Sequence, residues 1–212
     1  MADEPARPPV ILLPGAFGQE LIYWNAWQYF LERDGFHVYL ASFPRFTFHD
    51  LPVSAKHLQT KVDEVCAVEG VDKVALISHS MGGLIGRWYL NFLDGAPHTS
   101  HLCCLGTPHH GTWTAATAPI LTGTRQLLPG SNFLTELNDP ARNHGGVPIL
   151  NLWSKWDGIV IPSESALLEM PGVENRVMPF AGHWGLLVSR KAYLAVRDAI
   201  DPTRKGHVSA PA

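Results

Sequence analysis

Short runs of β-branched and aliphatic residues recur along this chain, and segments with apolar positions at helical spacing separate them. The apolar runs lie at 9–14, 37–42, 73–78, 101–106, 147–153 and 175–180. Most are apolar at nearly every position, which is typical of strands covered by helices on both faces. The pattern therefore predicts an α/β fold with three layers, in which helices cover both faces of a mainly parallel sheet of about six strands.

The connection from 107 to 146 differs from the other segments between strands. Helical spacing is clear at 20–34, 52–69, 81–93 and 189–200, and Gly35 closes the first of these helices. The long connection is instead rich in Thr, Pro, Gly and Ala, with one helical stretch around 125–138. Long connections in compact domains are usually functional, so we predict a small cap or loop here. A chain of 212 residues otherwise predicts a single domain, with its core at about 9–200.

Composition and charge argue against a nucleic acid or a membrane as a partner. A formal net charge of −3, with 17% charged residues, provides no basic field for nucleic acid. No apolar run reaches about 18 residues, so we expect no stable insertion into a membrane. Cys66, Cys103 and Cys104 lack the CxxC spacing of a metal or redox site and are predicted to be buried thiols in a reducing compartment. Acidic residues precede the first arginine, unlike in a secretory signal, and we expect a cytoplasmic protein.

The third apolar run, KVALIS, leads directly into HSMGGLIGRWYL, so that Ser80 falls on a tight turn between a strand and a helix. This is the context of a nucleophile elbow, whose pattern GxSxG keeps small residues where strand and helix approach each other. Gly82 and Gly83 follow the serine, whereas Ser78 occupies the first glycine position. The amide of Met81, at the start of the helix, is a candidate donor for an oxyanion.

Two later strands are followed by the residue types that a serine nucleophile needs. The run at 147–153 leads to Asp157 in SKWDGIV, and the run at 175–180 leads to His183 in GHWGLLVS. In this order, His183 would accept the proton of Ser80 and Asp157 would orient the imidazole. Asp157 could otherwise be a turn residue, and His183 a capping or half-buried histidine.

The loop LPGAFG at 13–18 follows the first strand and is the expected source of a second oxyanion donor. Gly15 permits a close approach of substrate, and the amide of Ala16 is the predicted donor. Phe17 is the competing donor and is more simply a wall of the acyl pocket. A plain glycine turn would produce the same sequence.

These segments together resemble the bacterial lipase and esterase family of the α/β-hydrolase fold, in particular its compact lipases. LPGAFG resembles the oxyanion loop of that family, SHSMGG its elbow, SKWDGIV its acid loop and GHWGLLVS its histidine loop; LGTPHHGT at 105–112 resembles its TPxxG stretch. The likeness covers about 9–200 and implies roles for the residues already named: Ser80, Asp157 and His183 as the catalytic triad, with the Ala16 and Met81 amides as the oxyanion hole. Pro14 and Ser78 stand where the family usually has histidine and glycine.

A small-molecule ester or a lipid is the expected substrate, with no cofactor and no metal. Most aromatic residues are assigned to the core, and Phe17, Phe43 and Trp113 are predicted to line the substrate pocket, with Phe46 and Phe48 as further candidates. We expect a carboxylester hydrolase that prefers short to medium acyl chains.

Other functions remain open at this stage. An acyl-enzyme on Ser80 would also serve an acyltransferase or a thioesterase. A metallohydrolase using His109, His110 and His144 is a weaker alternative, because these histidines have no paired carboxylate. A binding protein without catalysis is a third alternative, and the oligomeric state is not predicted.

Overall fold

A six-stranded, entirely parallel sheet forms the centre of the computed structural model, which describes residues 7–16, 21–43, 50–118, 120–201 and 203. Its strands are β1 (Val10–Leu13), β2 (Val38–Leu40), β3 (Val74–His79), β4 (Thr99–Leu105), β5 (Ile149–Trp153) and β6 (Val173–Val177). Their order across the sheet is β2-β1-β3-β4-β5-β6. Because all strands run the same way, the loops that carry Ser80, Asp157 and His183 leave the sheet at one edge.

The last strand begins and ends earlier than its predicted range of 175–180. Met178 still donates its amide to the carbonyl of Trp153 at 2.7 Å, and the ladder then stops at Pro179, which has no amide hydrogen. Phe180 follows with a φ of 61° and turns the chain away from the sheet. The apolar character of this segment concealed the boundary, since Met178 and Phe180 suit a strand by composition alone.

Helices cover both faces of the sheet and confirm the predicted three layers. One face carries α1 (Leu21–Arg33), α6 (Gly185–Val188) and α7 (Arg190–Ile200), and the other carries α2 (Leu51–Glu69) and α3 (Met81–Phe92). Trp24 and Trp27 of α1 are buried in the first of these layers, so they are core residues. No helix in the described ranges is both long and apolar enough to span a bilayer.

The long connection contains α4 (Thr122–Gln126) and α5 (Asn132–Leu137), flanked by short 3₁₀ helices at Trp113–Thr117 and His144–Gly146. The single helical stretch predicted around 125–138 is therefore wrong. Pro129 and Gly130 interrupt it, and the Ser131 hydroxyl restarts the helix by accepting the amide of Leu134. Apolar residues of both helices join the cluster that also contains α2 and α3, namely Leu127, Phe133, Leu134 and Leu137.

The adjacent cysteines of β4 point to opposite faces of the sheet. Cys103 belongs to the layer of α1 and α7, and Cys104 to the layer of α2 and α3. Both are fully buried free thiols, as predicted, whereas Cys66 on α2 is partly exposed and departs from that prediction. Burial raises the pKa of Cys104 to about 11 and that of Cys103 further.

Candidate active site

Ser80 lies between β3 and α3 in a backbone conformation that non-glycine residues rarely adopt, with a φ of 53° and a ψ of −127°. Its amide donates to the carbonyl of Leu105 at 2.8 Å, and its carbonyl accepts the amide of Gly83 at 3.1 Å. These bonds hold the strained residue between two buried elements. Strain of this kind is typical of a nucleophile elbow.

The two glycines after Ser80 are required by packing. A Cβ on Gly82 would lie 2.6 Å from the carbonyl oxygen of Leu13, and one on Gly83 would lie 2.1 Å from Oγ1 of Thr107. The start of α3 is thus pressed against the loop after β1 on one side and the loop after β4 on the other. The elbow brings both loops close to Ser80.

Ser78 occupies the position where the family usually has glycine, and its hydroxyl is accommodated. The side chain is fully buried, and Oγ donates to the carbonyl of Cys103 on the neighbouring strand at 2.9 Å. A buried hydroxyl with a partner carries little penalty. This departure leaves the geometry of the elbow intact.

Asp157 follows β5 and is buried with both carboxylate oxygens bonded. Oδ1 accepts the amides of Ile159 and Val160 at 2.9 and 2.8 Å, and Oδ2 lies 2.8 Å from Nδ1 of His183. Burial raises the pKa of the Asp157 carboxyl, but the hydrogen bond and charge of His183 and the two amides outweigh burial and lower it overall. Asp157 is therefore ionised at neutral pH and can hold the His183 imidazole in one orientation.

His183 is brought to the elbow by its contacts with β3 and with the loop after β4. The carbonyl of His183 accepts a hydrogen bond from Nε2 of His79 at 3.0 Å, and the two imidazole rings lie 4.5 Å apart. A Cβ on Gly106 would lie 3.2 Å from Oδ2 of Asp157 and 3.3 Å from Nδ1 of His183. Because Gly106 follows the residue that binds the Ser80 amide, all three predicted residues meet at this edge of the sheet.

The predicted oxyanion donors flank the same turn. Met81 is fully buried as the first residue of α3, so its amide lies at the N-terminus of the helix beside Ser80. The carbonyl of Pro14 would lie 2.9 Å from a Cβ on Gly82, which puts the loop that carries Ala16 against the same helix turn. Such proximity is compatible with an oxyanion hole, and the choice of donors stays a prediction.

The residues predicted for the substrate pocket differ in what the structure shows. Phe43 is partly buried and packs against the core that includes α2 and α3. Trp113 is mostly exposed at the start of a 3₁₀ helix, where its amide donates to the carbonyl of Ile161 at 2.9 Å. Phe17, Phe46 and Phe48 lie outside the described residues.

The histidines of the long connection bind a buried arginine. Nε of Arg87 donates to Nε2 of His144 at 3.0 Å, and Nη1 contacts Nδ1 of His109 at 3.3 Å, whereas His110 is exposed. Across the part of the chain that the structure describes, no three His, Cys, Asp or Glu side chains are grouped so that they could hold a metal ion. The geometry therefore gives the metallohydrolase alternative no support.

Three residues with structural roles were not singled out from the sequence. His79 and Gly106 position His183, and Arg87 joins α3 to the long connection. Gly106 could have been noticed, because a glycine after a buried strand often marks a close approach. Arg87 also carries a signal, as a lone charge within the apolar helix sequence MGGLIGRWYL.

This chain belongs to the alpha/beta hydrolase fold family, whose model matches residues 8–119. It is 35% identical over 113 residues to a triacylglycerol lipase of Pseudarthrobacter phenanthrenivorans, covering 50% of this chain and 34% of that protein. It is 27% identical over 217 residues to lipase B of Pseudozyma antarctica, covering 92% and 62%. The chain thus spans less than two thirds of these relatives. The fold also matches a mature lipase of Bacillus licheniformis, with a TM-score of 0.78, 18% identity, and 93% and 94% of the two chains covered.

Proposed function

We propose that this protein is a carboxylester hydrolase in which Ser80, His183 and Asp157 form a catalytic triad. The observation that carries the proposal is the buried Asp157–His183 pair, bonded at 2.8 Å and held beside the strained turn of Ser80. The lipases among its relatives support an ester or lipid substrate. No cofactor takes part in the proposed reaction.

The hydrogen bonds support the proton positions that this mechanism requires. A carboxylate only accepts hydrogen bonds, so Nδ1 of His183 carries a proton toward Asp157, and Nε2 of the neutral ring keeps its lone pair. Nε2 would take the proton of Ser80 as Oγ forms a bond to the ester carbonyl carbon. The bond to the alcohol oxygen then breaks, and His183 returns the proton to the departing alcohol.

Water completes the cycle by the same route. It attacks the acyl carbon of the acyl-enzyme while His183 accepts its proton, and the carboxylic acid leaves as Ser80 recovers its hydrogen. In both steps negative charge develops on the former carbonyl oxygen. The amides of Met81 and Ala16 would stabilise this oxyanion, with removal of one such donor typically costing about 10²–10³ in kcat.

Exposed aromatic side chains beside Asp157 and His183 support an apolar acyl group. Trp156 precedes Asp157, Phe180 lies three residues before His183, and their rings stack with centroids 6.1 Å apart. Phe180 is 83% exposed and Trp156 67% exposed, so the two stacked rings present an apolar surface beside Asp157 and His183. We propose esters with short to medium acyl chains as substrates.

Labelling with a fluorophosphonate and mapping the adduct tests the nucleophile directly. The expected adduct is on Ser80, and nitrophenyl esters of graded length should show the highest kcat/KM for short to medium acyl chains. Asp157→Asn should lower kcat by roughly 10³–10⁴-fold, because the imidazole would no longer be held in the required tautomer.

Thr60→Ala, an exposed change on α2, is the matched control and should keep normal turnover. The proposal fails if Ser80→Ala retains ester hydrolysis or if the adduct maps to another residue. Turnover that rises steadily with chain length would overturn the assignment of acyl length alone.

A further inference from the structure

A groove of about 700 Å³ runs between α1 and the α6–α7 segment, and none of Ser80, Asp157 and His183 lines it. Trp27 is buried at its base and donates Nε1–H to the carbonyl of Leu187 at 2.7 Å, which joins α1 to α6. The ring of Tyr193 packs edge-on against Trp27 with centroids 5.5 Å apart. The ring of Phe30 lies 5.8 Å from that of Tyr193. The groove thus has a rigid aromatic base.

Large apolar side chains along this groove are exposed to solvent. Ile22 is 77% exposed, Val188 67% and Phe30 47%, although the outer positions of a surface helix normally carry polar residues. A contiguous apolar surface in a concave site is typical of a binding groove. The cavity volume lies within the range of sites that hold small ligands.

Charged residues also line the groove, and Arg33, Asp34 and Arg197 lie toward one end of it. Asp34 is already compensated, since Oδ2 accepts from Tyr193 Oη at 2.9 Å and from Arg197 Nη1 at 3.3 Å. Arg33 and Arg190 also line the groove, and neither has an acidic partner among the described residues. The groove is therefore locally cationic on a chain whose formal net charge is −3.

The apolar and charged parts are arranged along one line. Along α1 the lining residues change from Ile22 and Trp27 to Arg33 and Asp34, over a helix length of about 18 Å. On the opposite wall, Leu187 is level with Trp27, and Arg197 is level with Asp34, as their hydrogen bonds show. A linear ligand with one apolar and one anionic end would match this arrangement.

We infer that the groove binds a dissolved long-chain fatty-acid anion, with its alkyl chain over Trp27 and Phe30 and its carboxylate at Arg33. Burial of the alkyl groups supplies most of the affinity, and the arginine sets the direction in which the chain lies. The site does not depend on the hydrolytic role of Ser80.

Binding of cis-parinaric acid, a polyene fatty acid that fluoresces in apolar surroundings, tests the site in the full chain carrying Ser80→Ala. Ala26→Trp fills the groove from an exposed position of α1 and should weaken binding at least about tenfold. The matched control is Ala67→Trp, which adds the same side chain at an exposed position of α2 and should bind normally.

Charge recognition is tested with Arg33→Glu, an exposed change that leaves the core untouched. It should weaken parinarate binding several-fold in low salt and less in high salt, whereas Arg125→Glu on α4 should not. Palmitate should displace the probe at lower concentration than hexadecanol, which has no carboxylate.

Four results would overturn the inference. One is equal binding by the Ala26→Trp and Ala67→Trp variants, and another is equal displacement by hexadecanol and palmitate. The third is a groove that binds a second copy of the chain, seen as a dimer that Ala26→Trp dissociates. A groove that binds a lipid surface, seen as binding to neutral phosphatidylcholine vesicles without binding of dissolved probe, would overturn it in the same way.

Discussion

Arg87 is a fully buried arginine whose hydrogen-bond partners in the described chain are all uncharged. Besides His144 and His109, Nη2 donates to the carbonyl of Leu137 at 3.2 Å and to Oδ1 of Asn138 at 2.9 Å. Burial lowers the pKa of this guanidinium to about 10, so it is charged at neutral pH. Both histidines must therefore stay neutral to accept its hydrogen bonds.

Because these histidines are neutral in the folded protein, its free energy of unfolding depends on pH. Burial, followed by the charge of Arg87, lowers the pKa of His144 to about 3 from an ordinary 6.5. Between these values the unfolded chain binds more protons than the folded one, so stability present above pH 6.5 is lost as the pH falls. The pKa of His109 is lowered in the same direction, for the same first two reasons.

His144→Gln should reduce this loss, because the amide oxygen of glutamine accepts from Arg87 and does not titrate. From pH 7 to pH 5, the free energy of unfolding of the variant should fall by about 2 kcal/mol less than that of the parent protein. Urea unfolding at the two pH values measures the difference. His57→Gln, exposed on α2, is the control, and an unchanged pH dependence in His144→Gln would contradict the assignment.

Among the elements, α3 has the tightest packing at its start, because its first turn contacts two loops. Gly82 faces the carbonyls of Leu13 and Pro14, and Gly83 faces Thr107. About one turn later, Arg87 joins the same helix to α5 and to the 3₁₀ helix at His144–Gly146. The helix therefore sets the distance between the elbow and the loop that would supply the second oxyanion donor.

Gly82→Ala should disturb that distance, since its Cβ would lie 2.6 Å from a backbone oxygen that has little room to move. We expect fluorophosphonate labelling of Ser80 to slow at least about tenfold, with a loss of about 1–3 kcal/mol in the free energy of unfolding. Labelling rates and urea unfolding measure the two effects.

Gly86→Ala lies on the same helix and is the matched control. Its Cβ would meet a methyl group of Leu102 at 3.0 Å, which is the end of a flexible side chain. Labelling should stay close to the parent rate, and alanine favours the helix by up to about 1 kcal/mol. Equal labelling rates in the two variants would show that the elbow does not control the loop.

The sequence predicts those parts of the molecule that depend on local pattern. The first five strands each overlap an apolar run, whereas β6 (VENRV) is mostly polar and its bounds were missed, and the order of Ser80, Asp157 and His183 follows from the strands that precede them. Contacts between distant residues leave no such pattern: Arg87 and His144 are 57 positions apart, and His79 and His183 are 104. Which buried polar groups pair is decided by how the layers pack, so these pairs were visible only in three dimensions.

For the whole molecule, the apolar rim formed by Trp156 and Phe180 should affect how well acyl chains bind. Trp156→Gln combined with Phe180→Gln removes two exposed rings beside Asp157 and His183. We expect KM for nitrophenyl octanoate to rise several-fold and KM for the acetate to change less, because each buried methylene contributes about 0.8 kcal/mol.

Steady-state kinetics with both esters measures this difference. Val68→Gln is the control, because Val68 is equally exposed on α2 but belongs to a different surface. A parallel change of KM for both esters would show that the rim does not contact the acyl chain.

The two adjacent thiols of β4 can serve as internal probes of unfolding. Since Cys103 faces one helical layer and Cys104 the other, a reagent reaches both only when the sheet has lost its cover on each side. Cys66 is partly exposed, so its modification would report on the folded protein as well. Modification of Cys103 and Cys104 would report only on molecules that have unfolded. Mass spectrometry of the three sites would then time the loss of the two layers separately, without any added probe group.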